Sequence, residues 1–463
     1  MRWIHLIAQT MPERRLTISR ALAKTGFVVI SIAVAACGRG NLASPPGTTA
    51  LSASAQAQPA VLHVIPLHGF TTESLIGNSG GSAGLIGDPS TALYGVAPVG
   101  GDLKCHDGHQ QGCGFVYELT PQAVGKPYKE TRLYTFLGND AADGAEPSAA
   151  LLMDESSAGV FYGTTVLGGV YDKGTVFKLA PTQSGAYKET VLHSFGAAKS
   201  FGEYPYASLI EIQGTLYGTA SGGGIYDGGV AFSVSAAGTS PHKLHDFGNG
   251  SDGATPYASL TDVNGTLYGT TSAGGTSTGC GTVFSMSMAG EEQVLYAFLG
   301  SRPYGDGCNP LGSGVVDVNG LLYGTTSSGG GKNGKGITCD CGTIYSVSTS
   351  GSEKVLHSFV SNGSPAASLI YSNGALYGTT FYGGKCTLGP RGCGVVFSLT
   401  PSSGSPSYQV QFPFTGTRAG GGANPAAPLL ANGGDFYGTT SSGGAHSHGE
   451  AFELTPYSFL TRR

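Results

Sequence analysis

Apolar positions along this chain fall into short β-type runs of five or six residues, divided by Gly, Pro, Asn or Asp. In one unit the runs are Ala207–Glu211, Thr215–Thr219, Gly229–Val234 and Lys243–Phe247, named A, B, C and D here. Tight turns such as Ile212–Gly214 and Val263–Gly265 join A to B, and Asn264-Gly265 suits the positive φ of a two-residue hairpin. Four runs joined in this way predict an antiparallel meander. Tyr stands beside Leu and Val beside Phe where a half-exposed strand would alternate, so both faces of the sheet are expected to be covered.

The Leu/Phe-Tyr-Gly core of run B recurs at Tyr94, Tyr162, Tyr217, Tyr268, Tyr323, Tyr377 and Tyr437, at intervals of 68, 55, 51, 55, 54 and 60 residues. Self-similarity on that scale marks a repeat array. Side chains are small in A and B (Ala-Ser-Leu, Gly-Thr-Thr) and large in C and D (Val-Phe-Ser, Leu-His-x-Phe). Sheets that converge on an axis need that gradient, with A innermost and D outermost. The predicted fold is all-β: a seven-bladed β-propeller of four-stranded antiparallel blades, monomeric.

The chain ends agree with a closed ring. The seventh unit runs through Asn424–Leu430 (A), Asp435–Thr439 (B) and Glu450–Leu454 (C) and stops without a D. A lone D-like run, Val61–Leu67, precedes the first A and is expected to complete the seventh blade, which leaves no open sheet edge. Pro66 is tolerable there because D is an edge strand. Blade one departs most: its A run, Ala83–Gly87, lacks the Pro found ahead of the others (Pro147, Pro205, Pro256, Pro310, Pro365, Pro425). Its B run continues as Val96-Ala97, and a long insert, 100–112, follows.

Copies of Leu-Tyr-Gly-Thr-Thr, a Gly-Gly pair and Gly-Thr-Val-Phe resemble the GloVer tandem-repeat family of bacterial exported proteins. The match runs from about Tyr94 to Leu454, most closely over Leu267–Phe284 and Leu322–Tyr345. The resemblance implies export with one of several anchor types and supplies no catalytic residues. The strand order is also similar to pyrroloquinoline-quinone-type propeller repeats, which bears on blade phase alone.

Outside the repeats, residues 1–36 read as a signal peptide: Arg14, Arg15, Arg20 and Lys24 precede the apolar run Gly26–Val34, which is too short to span a bilayer. A start at Met11 would serve equally. Small residues directly before Cys37 resemble a bacterial lipobox, implying cleavage there and acylation of Cys37. Residues 37–60 read as an Ala/Ser/Pro-rich tether, 61–456 as the propeller and 457–463 as a short tail. Loss of the leader, with five Lys or Arg and one Glu, takes the formal charge from −5 to −9. An acidic surface disfavours nucleic acid and anionic headgroups, so the lipid is the only expected membrane contact.

The eight remaining cysteines are an even number in an exported chain, which favours disulfides. Cys105 with Cys113 and Cys386 with Cys393 enclose the same loop in two repeats and read as local staples. Among Cys280, Cys308, Cys339 and Cys341 the pairing is open. A Cys339–Cys341 bridge is strained at that spacing, and Cys280 with Cys308 is preferred.

Departures from the repeat in the B–C and D–A loops, on one propeller face, are the natural site candidates. His106 and His109, beside Cys105 and Cys113, have zinc-like spacing, but a disulfide-closed loop is the stronger reading. Asp-Gly in the loops at 139–144, 249–253 and 305–307 reads as turn chemistry before calcium binding, and His446 with His448 as a solvated loop. No metal and no cofactor are expected. Asp107, Tyr171, Tyr226 and Tyr304 are the candidate ligand contacts. No nucleophile-base pair or pair of carboxylates stands out, so an enzyme is the weaker expectation. The function expected is a lipid-anchored scaffold of the cell envelope that binds a glycan, peptide or protein partner. The alternative is a hydrolase or lyase acting on extracellular polysaccharide with acids and tyrosines at the channel mouth.

Overall fold

The computed structural model describes residues 62–456 apart from 72–82, 103–104, 106–111, 139–141, 199–200, 240, 301–304, 313, 331–340, 361–362, 387 and 403. The leader, Cys37, the tether, the tail, His106, Asp107, His109, Tyr304 and Cys339 lie outside the described residues. Apart from short 3-10 turns such as Arg418–Gly420, the described elements are strands.

Seven four-stranded antiparallel sheets form, each in the order A-B-C-D, and they make a seven-bladed β-propeller. Blade three is Ile210–Ile212, Thr215–Ala220, Val230–Ser235 and His242–Asp246; blade four is Thr261–Val263, Thr266–Thr271, Thr282–Ser287 and Glu292–Ala297. Blade seven takes its A, B and C strands from Leu430–Asn432, Asp435–Thr440 and Glu450–Thr455, and its D strand from His63–Gly69 at the other end of the chain. The register pairs His63 with Thr455 and Gly69 with Glu450.

Sheets that twist away from one another cannot share one core, and here the apolar residues gather in wedges between neighbours. One cluster joins Tyr162 and Val176 of blade two to Leu209 and Phe232 of blade three, and another joins Phe70 and Tyr437 of blade seven to Leu93 and Tyr117 of blade one. At every joint the Phe at the end of strand D meets the aromatic ring of the next blade's strand C, with centroids 5.0–5.4 Å apart. Phe70 against Tyr117 is the joint that closes the circle. Edge-to-face or tilted contacts of this kind are the favoured geometry for two quadrupoles.

The repeat motif is the chemistry of these joints. Glycine in Tyr-Gly-Thr makes room for the strand C ring of its own blade: a Cβ on Gly269 would lie 2.5 Å from the Phe284 ring, and one on Gly163 2.5 Å from Phe177. The first Thr after it ties blades together, Thr164 donating to the Ala207 carbonyl at 3.1 Å and Thr219 to Ala258 at 3.1 Å. The second Thr closes B onto C through hydroxyl pairs, Thr165 with Thr175 at 2.8 Å and Thr271 with Thr282 at 2.9 Å. Glycine before strand C, Gly229 for instance, holds φ at +91° and sits against the ring of Pro256 in the next blade. Blade one lacks that proline, so the contact is missing only where the ring is sealed by strand exchange.

Two elements differ from expectation. Strand A is shorter than its run: Ile210–Ile212 pairs with strand B, while Ala207 and Ser208 are held by neighbouring blades, the latter's N–H donating to Ser259 Oγ at 3.1 Å. At the narrow centre the next blade is nearer than further ladder. Strand D carries a bulge opposite the same place in every strand C, with Leu192, Leu244 and Leu295 as the extra residue in blades two to four. A bulge re-aims the side chains beside it.

Candidate functional site

The bulge positions a second ring two residues before each strand D Phe, and what faces that ring sets one joint apart. Between blades one and two the Tyr134 hydroxyl donates to Asp143 Oδ2 at 2.8 Å; between four and five Tyr296 donates to Asp306 Oδ2 at 2.7 Å. Each Asp belongs to an Asp-Gly loop, and each also accepts a backbone N–H, from Leu137 at 2.9 Å and from Leu299 at 2.9 Å. The first strand D glutamate of the following blade stands within range of that carboxylate's charge. Burial, and then the charge of the Asp, push Glu189 up to about 8 and Glu353 up to about 7.

Between blades three and four the ring is His245 instead. Its Nε2 lies 3.0 Å from Asp252 Oδ2, and Glu292 completes the group, with one donor atom from each residue falling within 4.8 Å of the others. Burial pushes Glu292 up to about 7, the charge of Asp252 adding to it. Burial pulls the His245 imidazole down, but the hydrogen bond to Asp252 and the charges of Asp252, Glu292 and Asp246 outweigh it and hold it above its ordinary value. Asp252 Oδ1 takes the Gly253 N–H at 2.7 Å, so the expected turn chemistry occupies one oxygen and leaves the other for His245. Among the described residues no other such ring meets an Asp and a Glu together: His68 at the closing joint has Glu130 Oε2 at 2.9 Å from its Nε2, burial pulls His193 and His357 down to about 4, and His357 stacks on Tyr408 with centroids 3.8 Å apart.

The His245 group lines a cavity of about 610 Å³ between the two D strands, with Tyr226, Asn249, Ser251, Asp252, Glu292 and Gln293 among its walls. Asp246 braces the rim. It pairs with Lys243 at 2.6 Å and accepts the Ile225 N–H at 2.8 Å, which anchors the B–C loop carrying Tyr226.

Of the residues singled out by sequence, Tyr226 is brought to this rim. Tyr171 occupies the matching loop one blade earlier, half exposed, and does not line the cavity. Asp172 and Asp227 are turn residues with φ of +57° and +60°. His245 and Glu292 were missed because both stand in strands, at positions every repeat fills. The signal available was a strand D His followed by Asp-Gly: the repeats with His68, His193 and His357 lack the Asp-Gly, and the two others that have it carry Tyr. The structure pairs Cys105 with Cys113, Cys280 with Cys308 and Cys386 with Cys393; Cys341 is also disulfide-bonded. These bridges fit an oxidising compartment such as the periplasm or the cell exterior.

Matches to the Gloeobacter/Verrucomicrobia repeat run over residues 81–339 and 334–462. The chain belongs to that bacterial repeat family. The family match reaches all seven blades and leaves out the His63–Gly69 strand of the seventh. No curated protein matches the sequence. Among solved structures, a streptogramin B lyase aligns over 86% of this chain and 99% of its own with a TM-score of 0.51 at 12% identity. A catalytically inactive virginiamycin B lyase from Staphylococcus aureus with quinupristin aligns over 85% and 99% with a TM-score of 0.51 at 14% identity. Likeness at that identity concerns the fold alone.

Proposed function

We propose that this Gloeobacter/Verrucomicrobia repeat protein is an exported scaffold, lipid-anchored through Cys37, that binds a glycan in the groove between blades three and four. The observation that supports this is the cavity of about 610 Å³: its amide, hydroxyl and carboxylate groups stand on strands and braced loops, beside the Tyr226 ring. Sugars are held by such a mixture, fixed polar groups for their hydroxyls and an aromatic face for their C–H edges. Positions on paired strands are held more sharply than positions on free loops.

A second reading, a hydrolase or lyase acting on polysaccharide, has one observation in its favour: Asp252 lies beside Glu292, whose carboxyl stays protonated toward neutrality. Against it, the donor atoms of the two acids fall within 4.8 Å, whereas a glycosidase sets its pair about 5 to 9 Å apart across the scissile bond. The test is a glycan array and polysaccharide pull-down with the full chain, read for retention and for product release. Retention that falls at least tenfold in Tyr226→Ala, with no soluble product, is expected. Release of short products would replace binding by catalysis, and no retention of any glycan would end the proposal.

A further inference from the structure

We propose that His245, Asp252 and Glu292 form a divalent-metal site, of the zinc type, with an open coordination position facing the cavity. The inference shares its cavity with the glycan reading and names what would anchor a ligand there, but it is tested with the metal alone.

The donor set is one imidazole nitrogen and two carboxylate oxygens, and three such protein ligands with the fourth position left to water or substrate is how open zinc sites are built. Hard calcium-type sites use oxygen alone and more of it, so the imidazole points to a borderline transition metal. Spacing is nearly right. Ligand atoms around tetrahedral zinc stand about 3.3 Å apart. His245 Nε2 and Asp252 Oδ2 are already 3.0 Å apart, and all three donors fall within 4.8 Å, so a swing of at most ~1.5 Å by the flexible Glu292 side chain closes the shell.

Support behind the donors is fixed as well. The His245 ring lies edge-on against Phe247, 4.7 Å between centroids at 71°, and sits beside the strand D bulge. The Gly253 N–H holds Asp252 Oδ1, which leaves Oδ2 aimed at His245. Glu292 Oε1 is a buried oxygen without a hydrogen-bond partner. Glu189 Oε1 and Glu353 Oε1 are left the same way at the sibling joints, so it is the His245 nitrogen beside it that distinguishes this group.

The protein also carries its own controls. Tyr134-Asp143-Glu189 and Tyr296-Asp306-Glu353 repeat the arrangement with a hydroxyl that donates into the Asp and so spends the oxygen a metal would use. Among the described residues, the three-donor group occurs only where an Asp-Gly loop meets His instead of Tyr. That same joint is the one that lines the large cavity.

The controls define the variant. His245→Tyr installs a side chain that two sibling joints already accommodate, so its fold is expected to survive, as thermal unfolding and circular dichroism would register. Full-length protein stripped with chelator and titrated with zinc chloride by calorimetry should take up one ion at this site. His245→Tyr should weaken that uptake by ~100-fold or more, since even outer-shell losses cost 10–100-fold. Glu292→Gln is the second variant, expected to lose at least tenfold. No uptake by the wild type, or a change under tenfold in both variants, overturns the assignment. The second outcome places the ion elsewhere in the chain. Failure of glycan retention with zinc uptake intact would sink the glycan reading and leave the metal site standing.

Discussion

A single hydrogen atom is the specification at Gly269. The Phe284 ring of the neighbouring strand crosses directly over it, and a methyl placed there would stand 2.5 Å from the ring, well inside contact distance. Overpacking a closed interior costs about 1 to 3 kcal/mol. Gly269→Ala should therefore lower the unfolding free energy by that amount, measured by chemical unfolding, whereas Ala at the exposed turn glycine Gly265, φ +86° with open space around it, tests φ strain instead of ring clearance. The glycine was legible in the sequence as a repeated letter, but its reason was not, because nothing in the motif says which ring lies across it. His245 and Glu292 were hidden for a similar cause. They come from strands of different blades and meet only once the blades pack.

Strand D is the element in which sequence and structure part company most. Its presence and outermost place were legible from large side chains and edge-tolerant Pro66. Its bulge was not, since an extra Leu leaves the apolar pattern unchanged while turning the following ring toward the next blade. That turn creates the acid pairs between D strands, and they give the protein a pH signature. Glu189 is raised by burial and by Asp143 to about 8 from an ordinary 4.5, with Oε1 buried and unpartnered. A group with a raised folded pKa contributes stability that is fully present below its unfolded value and lost as pH climbs through the folded one. The wild type should lose stability between pH 4.5 and about 8 on this account. Glu189→Gln should flatten that part of the profile, followed by thermal unfolding across pH. An unchanged slope would remove Glu189 from the explanation. His193 acts at the other end: lowered to about 4 by burial, it costs stability as pH falls from 6.5 toward 4.

For the molecule as a whole, the count of blades and the exchange of the first strand were readable from phase alone, since a unit without D and a D without a unit can complete each other. What phase could not supply is the location of function. The axial mouth was the natural place to look, yet the polar cavity lies out between two blades, where an Asp-Gly loop meets a strand D His. All of this depends on the ring being shut by His63–Gly69 lying along Glu450–Thr455, with Ile65 opposite Glu453. The most direct test is the double variant Ile65→Cys with Glu453→Cys, oxidised and mapped by non-reducing mass spectrometry. The account predicts an intramolecular 65–453 bridge in monomeric protein without loss of the other bridges; a link found only between two chains, or none under conditions that form the native disulfides, would contradict it.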